Sequence, residues 1–185
     1  MKIALFVNGP SDEKTISIFV HKILKKADIK TRVIPRGDLL NKEKVLVYIK
    51  FVLKEHSNVS KIIICLDSEC ERDVERTVKK IESDLKHRVK RPVHYTVVTH
   101  ALEGWLLADP DAIRECLGPR VEVNIPYQAT LDCKPKEVIK DIFRKASKDF
   151  YALRDNPRIA EKIDIDKMAN QNKSFARFRE RVKDL

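Results

Sequence analysis

Two carboxylates follow the most apolar segment of the chain. Residues 61–66 are almost entirely apolar, and Asp67 and Glu69 come directly after them. Because Mg²⁺ takes oxygen ligands and completes its shell with water or substrate phosphates, two carboxylates at this spacing could hold one ion. Such an ion, with Mn²⁺ as a substitute, could polarise a phosphoryl oxygen or activate water. Asp67 and Glu69 are therefore candidate metal ligands and candidate catalytic residues.

The same acids also have a structural interpretation. Ser68 and Glu71 have the spacing of a capping box, and acids in the first turn of a helix interact favourably with its dipole. Capping accounts for Glu69 and Glu71, but it does not account for Asp67 at the end of the apolar segment. A functional role is therefore preferred for Asp67 and left open for Glu69.

A further acid, Glu103, lies in an apolar segment that includes Trp105, Leu106 and Leu107. The three apolar residues are predicted to be core. A carboxylate among them needs a partner or a metal. A catalytic role and a structural salt bridge are both compatible with the position of Glu103.

Near the N-terminus, Asn8 and Gly9 join an apolar segment to a helix that carries Asp12 and Glu13 in its first turn. A strand that runs through glycine into a helix N-terminus resembles an anion-binding arrangement. The P-loop pattern is absent, however, and spacing alone favours an ordinary strand–helix turn with Ser11 as the N-cap.

The elements that must position these residues alternate along the first hundred residues. Apolar segments near residues 1–7, 31–35, 61–66 and 93–99 predict strands, and amphipathic segments between them predict helices. This alternation predicts an α/β fold with a mostly parallel sheet of about four strands flanked by helices. Ligands of such sheets bind beyond the carboxyl ends of the strands, where we expect Asn8, Gly9, Arg36, Asp67 and Glu103.

The C-terminal third has a different character, because its amphipathic segments are separated by no strand-like segment. We therefore divide the chain into an α/β core at residues 1–117 and a mainly helical extension at residues 118–185. No linker separates the two parts, and the extension is expected to pack on the core as a single structural unit.

The bulk composition narrows the classes of partner. The 185 residues carry a formal net charge of +10, which is compatible with nucleic acid as a partner or with a Lys-rich, solvated surface. No apolar stretch approaches the ~20 residues of a membrane span, so no membrane partner is expected. Four cysteines without a CxxC pair or metal-like spacing favour a reduced, cytoplasmic protein. The oligomeric state stays open.

Three segments together resemble a known family. Residues 6–13 look like the "VEGxxDE" opening of Toprim-like domains, and residues 64–69 look like their acidic "DxD" strand end. Residues 101–109 look like the "E-x-W-L-L-A-D" segment of a Toprim-related family, the domain of unknown function 4276. Features of the tail, including Tyr151 and residues 174–178, also resemble that family, so the resemblance covers nearly the whole chain.

The resemblance implies a Toprim-like fold and Mg²⁺-dependent chemistry on nucleic-acid phosphodiesters, most simply that of a nuclease. It implies that Asp67 and Glu69 hold the metal, that Glu103 could be a further acid, and that Asn8 is a polar ligand or a substrate contact. Gly9 and Arg36, which follow predicted strands, join Asn8 as candidate substrate-binding residues.

The sequence departs from the Toprim pattern at two positions. Asn8 stands where Toprim domains have glutamate, and Glu69 stands where they have the second aspartate. Asparagine cannot act as a general base, although Glu103 or Glu13 could supply the missing carboxylate. The alternative function is therefore a non-catalytic module that binds nucleic acid or protein.

Overall fold

The computed structural model describes residues 1–118, 121–123, 125, 133–147 and 151–184. Within these ranges, no helix combines the length and apolar character that a membrane span requires. The elements follow in the order β1 (Lys2–Val7), α1 (Pro10–Ile23), β2 (Asp28–Val33), α2 (Arg36–Leu39), α3 (Lys42–Glu55), β3 (Lys61–Asp67), α4 (Val74–Arg88), β4 (Val93–Val98), α5 (Glu103–Leu106), α6 (Pro110–Leu117), α7 (Pro135–Ser147), α8 (Asp155–Lys162), α9 (Ile165–Gln171) and α10 (Lys173–Lys183).

The four strands form one parallel sheet in the order β2-β1-β3-β4. The predicted α/β class with a parallel sheet and C-terminal helices is confirmed. β3 pairs on both sides and is buried along its length except at Asp67. A central strand covered by helices on both faces explains why residues 61–66 are continuously apolar.

The second strand lies earlier in the chain than predicted. β2 covers Asp28–Val33 rather than residues 31–35, and its side chains are mostly exposed or half-buried. Among the described residues it pairs with β1 alone, as an edge strand, so it has no need for the apolar run that marks a central strand. The prediction missed Asp28–Lys30 because it relied on apolar character.

Two apolar layers lie on opposite faces of the sheet. Alternate residues of each strand point to opposite faces. In β1, Ile3, Leu5 and Val7 pack with α1 and the C-terminal helices, whereas Ala4 and Phe6 pack with α3 and α4. The residues of the C-terminal helices therefore share one core with the sheet.

Trp105 lies at the centre of the shared core. It is fully buried, as predicted, and its ring contacts those of Phe19, Phe175 and Phe178. Its indole N–H donates to Ser174 Oγ at 2.8 Å, which satisfies a polar group that would otherwise be buried without a partner. This one side chain joins α5 to both α1 and α10.

Candidate functional site

Asn8, Gly9 and Asp67 lie where the chain reverses direction across the sheet. From β1 the chain crosses to β2 on one side, and it then returns past β1 to β3 on the other side. The carboxyl ends of β1 and β3 therefore border a switch point, where open parallel sheets bind ligands. Asn8 and Gly9 follow β1, and Asp67 is the last residue of β3.

Three carboxyl groups at this edge influence one another electrostatically. Burial, followed by the charge of Glu103, raises the pKa of Asp12 to about 6, against the opposing effect of Lys136. Burial, followed by the charges of Asp12, Glu103 and Glu69, raises the pKa of Asp67 well above its ordinary value. We call Asp12, Asp67 and Glu103 the acidic cluster.

Glu103 is held at the cluster by neutral partners. It is buried at the start of α5, where Tyr151 O–H donates to Oε1 at 3.0 Å and Asn156 Nδ2 donates to the same oxygen at 3.3 Å. Tyr151 O–H also contacts Asn156 Oδ1. Among the described residues, Glu103 forms no ion pair, so the salt bridge that the sequence left open is not seen. Its charge acts on Asp12 and Asp67.

Asp12 reaches the cluster because Gly9 leaves room for its carboxylate. A Cβ atom added to Gly9 would lie 2.9 Å from Asp12 Oδ2. The backbone of Gly9 is extended, so space rather than left-handed geometry requires glycine there. Gly9 is also the N-cap of α1, and the prediction of Ser11 as N-cap is wrong. Ser11 lies inside the helix and donates its hydroxyl to the carbonyl of Leu153 at 2.8 Å.

Replacing Gly9 with alanine tests this packing. Because the clashing atom is the end of a side chain, the backbone can stay in place while the Asp12 carboxylate is displaced. We expect a change in unfolding free energy within about 1 kcal/mol. If the acidic cluster binds Mg²⁺, as the sequence predicts, the variant should bind it about 10-fold more weakly. Gly37→Ala is the matched control, since nothing lies within 4 Å of a Cβ there. Equal Mg²⁺ affinities of the two variants in calorimetric titrations would contradict this role of Gly9.

The loops after β3 and β4 have unusual backbone geometry. Glu69, Cys70 and His100 have φ angles of 50°, 64° and 63°, in the left-handed region that non-glycine residues seldom adopt. Hydrogen bonds between the loops hold them there: Glu69 N–H donates to the carbonyl of His100 at 2.9 Å, and His100 N–H donates to Ser68 Oγ at 2.8 Å. Such strained positions concentrate at functional sites.

These hydrogen bonds also show that Ser68 and Glu71 do not form the capping box that their spacing suggested. The hydroxyl of Ser68 accepts from His100 rather than from a helix N-terminus, and α4 begins at Val74 rather than near residue 69. Glu69 and Glu71 therefore belong to a loop, and helix capping does not explain them.

Arg36 and Glu69 lie at the rim of the cluster. Arg36 donates to the carbonyl oxygens of Asp67 and Ser68 at 3.2 and 3.3 Å. It also pairs with Glu71 at 3.1 Å and with Glu69 at 3.7 Å. These contacts order the loop after β3. Glu69 is exposed, so its role as a metal ligand, like that of Arg36 in substrate binding, stays a prediction.

Asn8 is half-buried at the end of β1, close in sequence to Asp12. Glu13, a candidate to replace the missing Toprim glutamate, accepts a hydrogen bond from Thr31 of β2 instead.

Sequence reasoning assigned Asp12 only to the helix dipole and missed it as a site residue. It also missed Tyr151 and Asn156, which lie 48 and 53 residues from Glu103.

The raised pKa values predict that the metal-free protein is destabilised as its cluster ionises. The folded protein binds more protons than the unfolded chain between the ordinary Asp12 pKa of 3.8 and its folded value of about 6. The unfolding free energy should therefore fall as pH rises through this window and stay low above it. Asp12→Asn should raise the unfolding free energy by about 1–3 kcal/mol at neutral pH and flatten its pH dependence.

Urea denaturation across pH in the presence of a chelator measures this effect. Asp73→Asn is the control, since Asp73 is an exposed acid outside the acidic cluster, at the N-cap of α4, and makes no side-chain capping bond. If Asp12→Asn were destabilising at neutral pH, mutual repulsion in the acidic cluster would be the wrong explanation.

Comparison with known proteins gives one family and no individual relatives. The model of a family described as a domain of unknown function, DUF4276, matches residues 7–183. The matched range includes every residue of the acidic cluster, and the predicted resemblance to this family is confirmed. No curated protein and no solved structure gives a significant match.

Proposed function

The chain belongs to the DUF4276 family, and we propose that it is a Mg²⁺-dependent enzyme acting on nucleic-acid phosphodiesters, most simply a nuclease. The main support is electrostatic: at the switch point of a parallel sheet, the charges of Asp12 and Glu103, which belong to two other elements, raise the pKa of Asp67. This arrangement agrees with the Toprim resemblance, and Asp12 supplies the carboxylate that Asn8 lacks.

The donor set fits a hard divalent cation. Carboxylate oxygens are the ligands that Mg²⁺ and Mn²⁺ prefer, and the cluster offers them without any imidazole or thiolate. The charge of Glu103 raises the pKa of Asp12, and the charges of Asp12 and Glu103 raise that of Asp67, so a bound cation would relieve a repulsion already present in the fold. When bound, Mg²⁺ would supply Lewis-acid activation of a phosphoryl oxygen.

The surrounding side chains have distinct tasks in this proposal. Tyr151 and Asn156 orient the Glu103 carboxylate through hydrogen bonds to one of its oxygens. Lys136, whose charge acts on Asp12, and Arg36, whose charge acts on Asp67, place positive charge beside the cluster. Such charges favour a phosphate backbone, in agreement with the net charge of +10.

A non-catalytic binding module is the second candidate. One observation favours it: Arg36 is already engaged with two carbonyl oxygens and two carboxylates of its own chain, which leaves it less free to contact a substrate. In this alternative, the acidic cluster still binds a cation, but the bound nucleic acid is not cut.

Cleavage assays separate the two candidates. Single- and double-stranded DNA and RNA are incubated with the purified protein and Mg²⁺ or Mn²⁺, and parallel samples contain a chelator. We expect cleavage of at least one substrate that stops when the metal is removed. A folded protein that cuts none of the four substrates would contradict the nuclease proposal, and salt-dependent binding without cleavage would support the binding module.

A further inference from the structure

A second group of potential ligands lies outside the acidic cluster. Ligand atoms of Cys70, His100 and Cys133 all lie within 4.8 Å of one another. Cys133 Sγ is 3.7 Å from His100 Nδ1. The three residues belong to separate segments: the loop after β3, the loop after β4, and the residues just before α7. Their distance along the chain explains why sequence spacing gave no indication of a metal site.

We propose that Cys70, His100 and Cys133 bind Zn²⁺. In a tetrahedral site, Zn–S bonds of about 2.3 Å and Zn–N bonds of about 2.0–2.1 Å place a sulfur and a nitrogen roughly 3.6 Å apart. The observed 3.7 Å between Cys133 and His100 matches this separation. Thiolate and imidazole ligands select Zn²⁺ over Mg²⁺, so the two metal sites would take different ions.

The backbone provides a second observation at the same residues. Cys70 and His100 are two of the three non-glycine residues in the left-handed region among the described residues. That conformation costs free energy and persists only where the surrounding structure enforces it. Here the hydrogen bonds between the two loops enforce it, and both side chains meet Cys133 as a result. The ligands are therefore brought together by the fold itself.

Metal binding would change the protonation of the cysteines. In the structure, Cys70 Sγ lies 3.2 Å from the carbonyl oxygen of Cys133, in a hydrogen bond that it donates as a thiol. Coordination would replace this bond and release the protons of both thiols. Three protein ligands leave a fourth position for water, which is the ligand count of zinc sites with an open position.

The proposed zinc site would fix the start of α7 to the edge of the sheet. Cys133 lies two residues before Pro135, the first residue of α7, and α7 carries Lys136. The charge of Lys136 lowers the pKa of Asp12, so this helix contributes to the electrostatics of the acidic cluster. The proposed zinc site goes beyond the proposed nuclease function and depends on different residues.

Cobalt substitution tests the site without any assay of activity. The reduced full-length protein is stripped of metal and titrated with Co²⁺, and we expect thiolate-to-cobalt charge-transfer absorption that saturates at one ion per chain. Zn²⁺ should displace the Co²⁺ and abolish the absorption. Cys70→Ser, His100→Ala and Cys133→Ser should each lower the Co²⁺ affinity by at least about 100-fold.

Two controls make the result specific. Cys116→Ser removes a half-buried thiol outside the group, and Asp67→Asn alters the acidic cluster. Both should leave the absorption unchanged. Circular dichroism verifies that each variant is folded. If a variant does not fold, the wild-type titration still tests the site. Wild-type protein without the absorption, or variants that bind Co²⁺ as wild type does, would overturn the proposal. A Cys70–Cys133 disulfide that forms in air despite saturating Zn²⁺ would also overturn it.

Discussion

Asp67→Asn is expected to lower metal-dependent cleavage by at least about 100-fold while leaving the fold intact. Residues that only orient a metal ligand cost 10–100-fold in affinity or activity when mutated, so loss of a ligand should cost at least as much. Asn keeps the shape of the side chain and removes its charge. Since that charge is disfavoured in the metal-free protein, the variant should be at least as stable as wild type without metal.

Initial cleavage rates at saturating Mg²⁺ measure the loss of activity. Mg²⁺ titrations show whether that loss arises from weaker metal binding. Asp73→Asn is again the matched control, because it removes one negative charge from the loop that follows Asp67, outside the acidic cluster. Equal losses of activity in both variants would mean that the negative electrostatic potential of this region supports cleavage, rather than metal ligation by Asp67.

Trp105→Ala is expected to cost about 3–5 kcal/mol of unfolding free energy, because it removes a fully buried aromatic side chain. A domain of this size is stable by only about 5–15 kcal/mol, so the variant should be close to unfolding at room temperature. The loss should affect the whole protein, since Trp105 joins α5 to rings on α1 and α10.

Urea denaturation followed by circular dichroism measures this loss. Phe51→Ala is the control, since Phe51 is an aromatic residue of α3 that is half exposed. Trp105→Phe should lose less than the alanine variant, because it keeps most of the packing and gives up the bond to Ser174. A loss below about 1 kcal/mol for Trp105→Ala would contradict the shared core.

The central strand and its final aspartate could be predicted from the sequence because their signals are local. A continuous apolar segment marks a strand buried on both faces, and an acid at its end has no structural explanation. Glu103 was a candidate for a similar reason, as a carboxylate in apolar surroundings after the fourth strand, although a structural role was left open.

The rest of the site depends on contacts that are distant in sequence. Asp12 has a sufficient local explanation as an acid in a first helical turn, so only the fold shows that its charge, with that of Glu103, acts on Asp67. Tyr151 reaches Glu103 across 48 residues. The start of α4 was misplaced because the Ser68 hydroxyl, which looked like a helix cap, is used by the loop after β4.

The most direct test of the acidic cluster is diffraction from a crystal of the full chain soaked in Mn²⁺, with data collected for anomalous scattering by manganese. We expect an anomalous peak bounded by the carboxylates of Asp12, Asp67 and Glu103, and its absence from crystals of Asp67→Asn. No peak at these carboxylates, or a peak held only by the exposed acids Glu69 and Glu71, would contradict a catalytic metal site at the switch point of the sheet.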